Sequence, residues 1–171
     1  MNKILKYPDP FLKTEATMVY DITEDVSKEI DYMLKIEEEI DTTSLGLSSI
    51  QVGIKNSIIL YREDGVPTHE LKILLNAKIS AVLNTKLQRS EEGCFSFPDI
   101  FIPIRRYKEI EVVGNDISGK SVKFVASGML SNVLQHEIDH INGILMIDRL
   151  SRLQKNLFRK KLKGLKIDIK V

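Results

Sequence analysis

The sequence has little cysteine and no long apolar run. Cys94 is the only cysteine among 171 residues, so no internal disulfide can form, which fits a reducing compartment. No apolar run approaches the roughly 18 residues that a membrane-spanning helix needs, so we expect no membrane partner. The first twenty residues mix Lys3, Lys6, Asp9 and Lys13 with apolar positions. They therefore predict neither a signal peptide nor a transit peptide, and we expect a cytoplasmic protein.

The composition is that of an ordinary globular domain, with 43% hydrophobic and 29% charged residues. It excludes a collagen-like or mostly disordered chain. The formal net charge of +1 gives by itself no indication of an anionic partner, and we expect no specific binding to DNA. However, residues 149–171 carry nine basic residues and one acidic residue, whereas residues 1–148 carry 16 basic and 23 acidic residues. This basic C-terminal segment, residues 149–171, is either a site for an anionic partner or a solvated helix face that complements the acidic body.

Hydrophobic periodicity predicts helices at both ends of a run of strands. A first helix is expected after the capping residue Thr23, and a second over about 128–141, where Asn142-Gly143 is a stop signal. A third, amphipathic helix is expected to start near Ser151. This order favours an α+β fold over a parallel alternating one. Short apolar runs predict strands at residues 57–61, 72–75, 78–82, 109–113 and 121–125, the last two forming a hairpin.

The second predicted helix carries a His-Glu-x-x-His motif from His136 to His140. Residues four apart lie on one helical face, so both imidazoles can reach a single metal ion. Glu137 lies beside them, where a carboxylate can take a proton from the attacking water. Three fixed positions in five residues arise by chance in many proteins. The motif alone therefore leaves a structural helix and a metal site equally open.

Cysteine and histidine usage favours the metal site. Two of the three histidines lie in the motif, and the third, His69, lies in a polar stretch. A single cysteine is more often a small buried hydrophobe, but beside a histidine pair the thiolate of Cys94 offers a third ligand. Three protein ligands with one open position describe a catalytic site, whereas a structural zinc site normally closes with a fourth ligand.

Three motifs follow one another along the chain. They are Ser44-Leu45-Gly46-Leu47-Ser48-Ser49-Ile50-Gln51, Glu92-Gly93-Cys94-Phe95-Ser96 and Gln135-His136-Glu137-Ile138-Asp139-His140. In this order and at this spacing they resemble the peptide deformylase family over nearly the whole chain. The resemblance implies antiparallel strands packed around a central metal-binding helix, with a C-terminal helix. It also implies hydrolysis of the formyl group from the N-terminal formyl-methionine of nascent polypeptides.

The resemblance further implies what each site residue does. Cys94, His136 and His140 would bind one divalent metal ion, typically Fe²⁺, with Zn²⁺ or Ni²⁺ tolerated. Glu137 would move the proton, while the Gln51 side-chain amide and the Phe95 backbone N–H would stabilise the negative oxygen that develops. The expected substrate contacts are backbone groups near Leu45, Gly46 and Gly93, and a methionine pocket that includes Asn132 and Val133.

Other positions are expected to be structural. Met129 shares the helical face of the ligands and is interpreted as core, and Glu92 and Arg106 match a buried ion pair of the family. Several residues depart from the family pattern without touching a ligand, the base or Gln51. They are Ser44 in place of glycine, Ser48 and Ser49 in place of two alanines, Phe95 in place of leucine, and the polar Asn132 at an apolar position. The serines are interpreted as small residues of a tight turn rather than as substrate-binding groups.

Two other functions share some of these features. A zinc endopeptidase also uses His-Glu-x-x-His, but its third ligand is normally a downstream His or Glu. A non-enzymatic metal- or peptide-binding protein would not need both Glu137 and Gln51. We therefore predict a deformylase whose catalytic part is residues 1–148. The basic C-terminal segment, as part of the same domain, is expected to bind the ribosome exit region through rRNA phosphates.

Overall fold

A computed structural model describes residues 4–40, 44–63, 70–156 and 158 of the chain. Its elements combine two helices with one sheet, which confirms the predicted α+β class. Among the described residues, no helix has both the length and the apolar character to cross a membrane. The helices are α1 (Glu24–Glu39) and α2 (Gly128–Ile141), and the strands are β1 (Gly46–Ser48), β2 (Ile58–Arg62), β3 (Leu71–Cys94), β4 (Phe97–Asn115) and β5 (Ser121–Ser127).

The five strands form one antiparallel sheet in the order β1-β2-β3-β4-β5. The strand predicted at 57–61 is β2, and the predicted hairpin is formed by the end of β4 and by β5. The two strands predicted at 72–75 and 78–82 are wrong as separate elements, because both belong to β3. Asn76, between them, has a left-handed φ of 53° beside a register shift in the β3–β4 pairing.

The long β3–β4 hairpin positions the functional residues, and the sequence predicts little of it. No strand was predicted for residues 83–108, yet this stretch forms the second half of β3 and the first half of β4. Both strands meet at a two-residue turn, Phe95-Ser96, where Cys94 pairs with Phe97. The hairpin therefore places the sole cysteine at its tip.

The two helices pack on opposite faces of the sheet. Met33 of α1 lies in a core cluster with Ile58 of β2, whereas Leu134 of α2 lies in a second cluster with Ile59 of the same strand. Successive strand residues point to opposite faces, so these two clusters lie on the two sides. Each fully buried aliphatic side chain stabilises the fold by about 1.5–3 kcal/mol relative to exposure.

Helix α2 matches the predicted 128–141 range and is the buried helix of the fold. Every residue from Ser131 to Ile141 is buried. The helix ends at the predicted stop signal, because Gly143 has a φ of 66° and donates its N–H to the His140 carbonyl. A Cβ on Gly143 would lie 2.5 Å from the Lys13 carbonyl oxygen, so glycine is also required by the close approach of these backbones.

The third predicted helix is present as far as the structure describes it. Residues 152–156 and 158 are helical, after a short 3-10 helix at Met146–Arg149. Leu150 is buried in a core cluster, and Phe158 packs against the same cluster. The remaining residues of the basic C-terminal segment lie outside the described part of the chain, as does His69.

Candidate metal centre

The hairpin tip and the buried helix bring three ligand atoms together. The Sγ of Cys94 and one nitrogen each of His136 and His140 all lie within 4.8 Å of one another. The Cys94 Sγ is 3.3 Å from the His140 Nε2. Tetrahedral bonds of about 2.3 Å to sulfur and 2.1 Å to nitrogen would place two such atoms about 3.5 Å apart. The three side chains therefore fit one divalent metal ion.

A carboxylate holds the ring of His136 in place. The Nδ1 of His136 lies 2.9 Å from the Oε2 of Glu92, which leaves Nε2 for the ligand cluster. Arg106 donates from Nε and Nη2 to the two Glu92 oxygens at 2.7 and 2.9 Å, so the expected buried ion pair is present. A ligating histidine is typically oriented by such a carboxylate on its other nitrogen.

The same arginine extends the network to Arg149, the first residue of the basic C-terminal segment. Arg106 also donates to Asp139, the fourth residue of the His-Glu-x-x-His motif, and Arg149 donates to both oxygens of Asp139. Burial opposes the ionisation of Glu92, but its hydrogen bonds from Arg106 and His136 outweigh burial and lower its pKa to about 2. Glu92 is therefore a carboxylate at neutral pH.

Glu137 is in a different environment. It is 4% exposed, and its Oε2 has no hydrogen-bond partner among the described residues. Burial is the main cause that raises the pKa of Glu137 to about 7. Burial, together with the charges of His136 and Arg106, lowers the pKa of His140 well below its usual value, which favours the neutral ring that a metal requires.

Gln51 presents its nitrogen to the ligand cluster. The Oε1 of Gln51 accepts from the backbone N–H and the hydroxyl of Ser48 at 2.9 and 3.2 Å. These donors place Nε2 on the other side, 3.4 Å from the Cys94 Sγ and 3.4 Å from the Ser96 Oγ. The side-chain donor is therefore fixed beside the ligands before any substrate arrives.

A cavity of about 650 Å³ opens next to this cluster. Ten of the eleven site residues named from the sequence line it, and His140 is buried behind Cys94. The interpretation of Met129 as core is wrong, because it lines the cavity and is 48% exposed. Helical spacing identified its face correctly, but spacing alone does not tell a cavity wall from a packed core. The ten lining residues are Leu45, Gly46, Gln51, Gly93, Cys94, Phe95, Asn132, Val133, His136 and Glu137.

The three serines of the first motif differ in what they contact. Ser48 bonds Gln51, and the Ser49 hydroxyl accepts from the backbone N–H of Ile58 at 3.4 Å. Both are fully buried, which supports their interpretation as structural residues. Ser44 lines the cavity, and its buried hydroxyl has no partner among the described residues.

Three polar residues of this region were not recognised from the sequence. Asp139 lies within the third motif and Arg149 in a stretch that also resembles the family, but the sequence assigned no role to either residue. Gln88 donates to the Asn132 side chain, and no local pattern marks it. Its place depends on the pairing of β3 with β4, where Gln88 lies opposite Arg106.

The chain is similar to known proteins in sequence and in fold. A family model described as Polypeptide deformylase matches residues 1–156. A peptide deformylase of Thermodesulfovibrio yellowstonii is 40% identical over 162 residues, covering 94% of this chain and 96% of that protein. The chloroplastic peptide deformylase 1B of Oryza sativa is 32% identical over 149 residues, covering 87% of this chain and 55% of that protein. A crystal structure of a peptide deformylase from Legionella pneumophila has a TM-score of 0.83 at 30% identity, covering 97% of this chain and 95% of that one.

Proposed function

This chain belongs to the polypeptide deformylase family, and we propose that the cavity between β1, the β3–β4 hairpin and α2 is its active site. As a peptide deformylase, it hydrolyses the N-formyl group of newly made polypeptides and releases formate. The observation that carries the proposal is the Glu137 carboxylate. It is buried beside the three-ligand cluster, in the wall of the same cavity, with one oxygen unpartnered among the described residues.

Glu137 moves the proton in this reaction. When bound to Cys94, His136 and His140, a divalent metal supplies Lewis-acid activation of water and of the formyl oxygen. The Glu137 carboxylate takes the proton of the attacking water and then delivers it to the nitrogen of the leaving amine. The delivery is needed because an amine cannot leave as an anion near pH 7.

Gln51 and Phe95 stabilise the negative charge that develops on the formyl oxygen. The Gln51 Nε2 is held by the two bonds that its oxygen accepts from Ser48, so no reorganisation is needed during the reaction. The backbone N–H of Phe95, in the turn after Cys94, is the second donor. Removing one such preorganised donor typically raises the barrier by about 3–4 kcal/mol.

The substrate enters as an extended chain. In the described sheet β1 is an edge strand that pairs only with β2, and Leu45 and Gly46 line the cavity at this edge. A peptide can therefore add to β1 through backbone hydrogen bonds, with Gly93 on the opposite wall. The first side chain of the peptide then enters the cavity beside Asn132 and Val133.

Formate release tests this assignment. Metal-loaded protein, prepared without oxygen, is mixed with formyl-Met-Ala-Ser, and formate is measured against a control without enzyme. We expect turnover in the wild type and a loss of about 10²–10⁴-fold in Glu137→Ala at unchanged metal content. Near-normal turnover in Glu137→Ala would contradict the role of Glu137, and cleavage of internal peptide bonds would indicate a protease.

We propose Fe²⁺ as the native ion, with Zn²⁺ or Ni²⁺ able to replace it. One sulfur and two imidazole nitrogens suit several divalent metals, so the donor set supports a divalent ion and the family resemblance supports iron. Metal analysis of protein purified without oxygen from its native host tests this choice. Stoichiometric zinc in that preparation, without iron, would contradict it.

We also propose that the basic C-terminal segment binds the ribosome in the cytoplasm. The family match ends at residue 156, and six of the nine basic residues lie beyond it. Phe158 packs against the core cluster that contains Leu150, which supports one domain with the segment attached to its body. Contacts to rRNA phosphates make binding strongly dependent on salt.

Charge substitutions test this partner better than truncation, because truncation after Leu150 also removes Phe158 from the core. We expect Lys160→Gln, Lys161→Gln and Lys163→Gln together to weaken co-sedimentation with ribosomes at low salt and to leave the turnover of small peptides unchanged. The matched control replaces three exposed lysines of the body, Lys28, Lys35 and Lys55, by glutamine. Equal co-sedimentation of both triple variants with the wild type would contradict the proposal.

A further inference from the structure

One polar side chain in the wall of the cavity has no part in the chemistry described above. Asn132 lies one helical turn before His136, is 7% exposed and lines the cavity together with Met129 and Val133. Burying an amide is unfavourable unless its polar atoms are paired. Its hydrogen bonds therefore show which atom is left for a ligand.

Gln88 fixes the orientation of this amide. One side-chain atom of Gln88 lies 2.8 Å from the carbonyl oxygen of Gly128. A carbonyl oxygen only accepts, so this atom is the nitrogen Nε2. The same Nε2 lies 2.7 Å from the Asn132 side chain, and the Asn132 atom that meets it must be the oxygen Oδ1. The backbone of α2 thus determines, through Gln88, which way the Asn132 amide faces.

The nitrogen of Asn132 is left without a partner. Once Oδ1 accepts from Gln88, Nδ2 is the other end of the amide, and it has no hydrogen-bond partner among the described residues. Among the described residues, Nδ2 is not one of the unpartnered polar atoms that are fully enclosed by protein. The Nδ2 donor therefore belongs to the part of Asn132 that is accessible. The cavity wall therefore presents an oriented N–H₂ group.

We propose that the Nδ2 of Asn132 donates a hydrogen bond to the first side chain of the substrate and makes Asn132 a specificity-determining residue, with Gln88 as its positioning residue. This inference rests on the placement of that side chain in the cavity proposed above. The acceptor is the methionine sulfur or an oxygen bonded to it. A thioether sulfur is a weak acceptor, whereas a sulfoxide oxygen is a strong one.

A donor in the pocket discriminates between side chains of one shape. Norleucine has a methylene group in place of the methionine sulfur, and it would leave the Nδ2 donor buried and unpaired. A site that is built to hydrogen-bond a substrate rejects an analogue that lacks the partner more strongly than an apolar pocket does. The expected order of kcat/KM is therefore methionine sulfoxide and methionine above norleucine, whereas a wholly apolar pocket would disfavour the sulfoxide.

A comparison of kcat/KM for three substrates tests the proposal. The metal-loaded enzyme is assayed with formyl-Met-Ala-Ser and with the same peptide carrying norleucine or methionine sulfoxide at the first position. We expect the ratio of kcat/KM for sulfoxide over norleucine to fall about tenfold in Asn132→Leu. Gln88→Leu, which leaves the cavity wall unchanged in composition, should lower the same ratio by a smaller factor because the amide is then free to turn. Val133→Ile is the control, since it changes the volume of the same wall without changing its donor.

The possible outcomes separate this inference from the assigned function. A ratio unchanged in both Asn132→Leu and Gln88→Leu, with formate still released, would overturn the proposal and leave the deformylase assignment intact. A fall of the ratio in Val133→Ile as large as in Asn132→Leu would also overturn it, because volume and not the donor would then set the preference. Absence of formate from all three peptides would contradict the proposed function on which this inference rests. If Asn132→Leu does not fold, Gln88→Leu alone decides, because the proposal requires the ratio of kcat/KM for sulfoxide over norleucine to fall in that variant.

Discussion

Replacing Gly46 by alanine should displace the Glu137 carboxylate without touching a metal ligand. A Cβ on Gly46 would lie 2.8 Å from the Glu137 Oε1 and 2.9 Å from its Cγ. Ordinary contact with a Cβ begins at about 3.4 Å, so the carboxylate oxygen has to retreat by about 0.6 Å. Glu137 is 4% exposed and cannot swing into solvent, so the shift is taken up inside the cavity.

The size of this shift sets the expected effect. A misplacement of about 1 Å in an active site can cost about 10²-fold in rate, so about 0.6 Å should lower kcat by at least about tenfold. The fold should change little, because the entropic gain of Gly→Ala, about 0.4–1 kcal/mol, offsets part of the packing strain. Metal content should stay at the wild-type value, since the three nearest atoms to the new Cβ all belong to Glu137.

Steady-state kinetics separate this effect from simple obstruction of the peptide. A displaced Glu137 lowers kcat and kcat/KM together, whereas a Cβ that only blocks the substrate raises KM. Gly114→Ala is the matched control, because its Cβ would lie 2.7 Å from the Leu74 Cδ1 and the Leu75 carbonyl oxygen, away from the cavity. It should lower stability and leave kcat of the folded enzyme unchanged. A fully metallated Gly46→Ala protein with kcat within twofold of the wild type would refute the role given to Glu137.

Three further predictions concern stability and ionisation. The Glu92 carboxyl of metal-free protein should still be ionised at pH 3.5 in an NMR titration, because its folded pKa of about 2 lies below the unfolded value of 4.5. The ionised carboxylate therefore stabilises the fold by about 3 kcal/mol above pH 4.5. This stabilisation is lost as the pH falls towards 2. A midpoint near 4.5 would contradict the role of Arg106. Gly143→Ala should lower the free energy of unfolding in urea by about 2–4 kcal/mol. The control Gly119→Ala should lower it by about 1 kcal/mol, because the φ of Gly119 is also positive but its Cβ would meet nothing within 4 Å. Equal losses in the two variants would exclude the clash with the Lys13 carbonyl. Free metal at 100 times its Kd should raise the free energy of unfolding by about 2.7 kcal/mol over chelated protein, and the gain should vanish in Cys94→Ala.

The helices and the histidine pair were predictable because their signals are local. Thr23 precedes α1 and accepts from the backbone N–H of Val26 at 3.3 Å, as the capping pattern requires. The two histidines are four residues apart on one helix, and that spacing alone places them together. Cys94 required a different argument, that of scarcity, because it lies 46 residues from His140 along the chain. The β3–β4 hairpin is what brings it to the histidines.

The hairpin itself was not predictable from alternation. Polar residues dominate 84–92, and Pro98 and Pro103 interrupt the run that forms β4, so neither stretch shows the period of a half-buried strand. Repeated register shifts between β3 and β4 further remove the regular alternation. Backbone pairing between residues far apart in sequence holds β3 and β4 together. Contacts such as that of Gln88 with Asn132 depend on this pairing and have no local sequence signal.

The buried carboxylates beside the histidines differ in whether an arginine is paired with them. Glu92 and Asp139 alternate with Arg106 and Arg149 in one hydrogen-bonded chain of two positive and two negative groups, so this network brings no net charge into the core. A buried ion pair of this kind stabilises little by itself, but removing one partner leaves an uncompensated charge at a cost of about 3–5 kcal/mol. Glu137 has no arginine or lysine on its carboxylate among the described residues, so burial outweighs the more distant charges of His136 and Arg106 and raises its pKa to about 7. The network thus divides the carboxylates beside the histidines into those that hold the ligands in place and one that can exchange a proton near neutral pH.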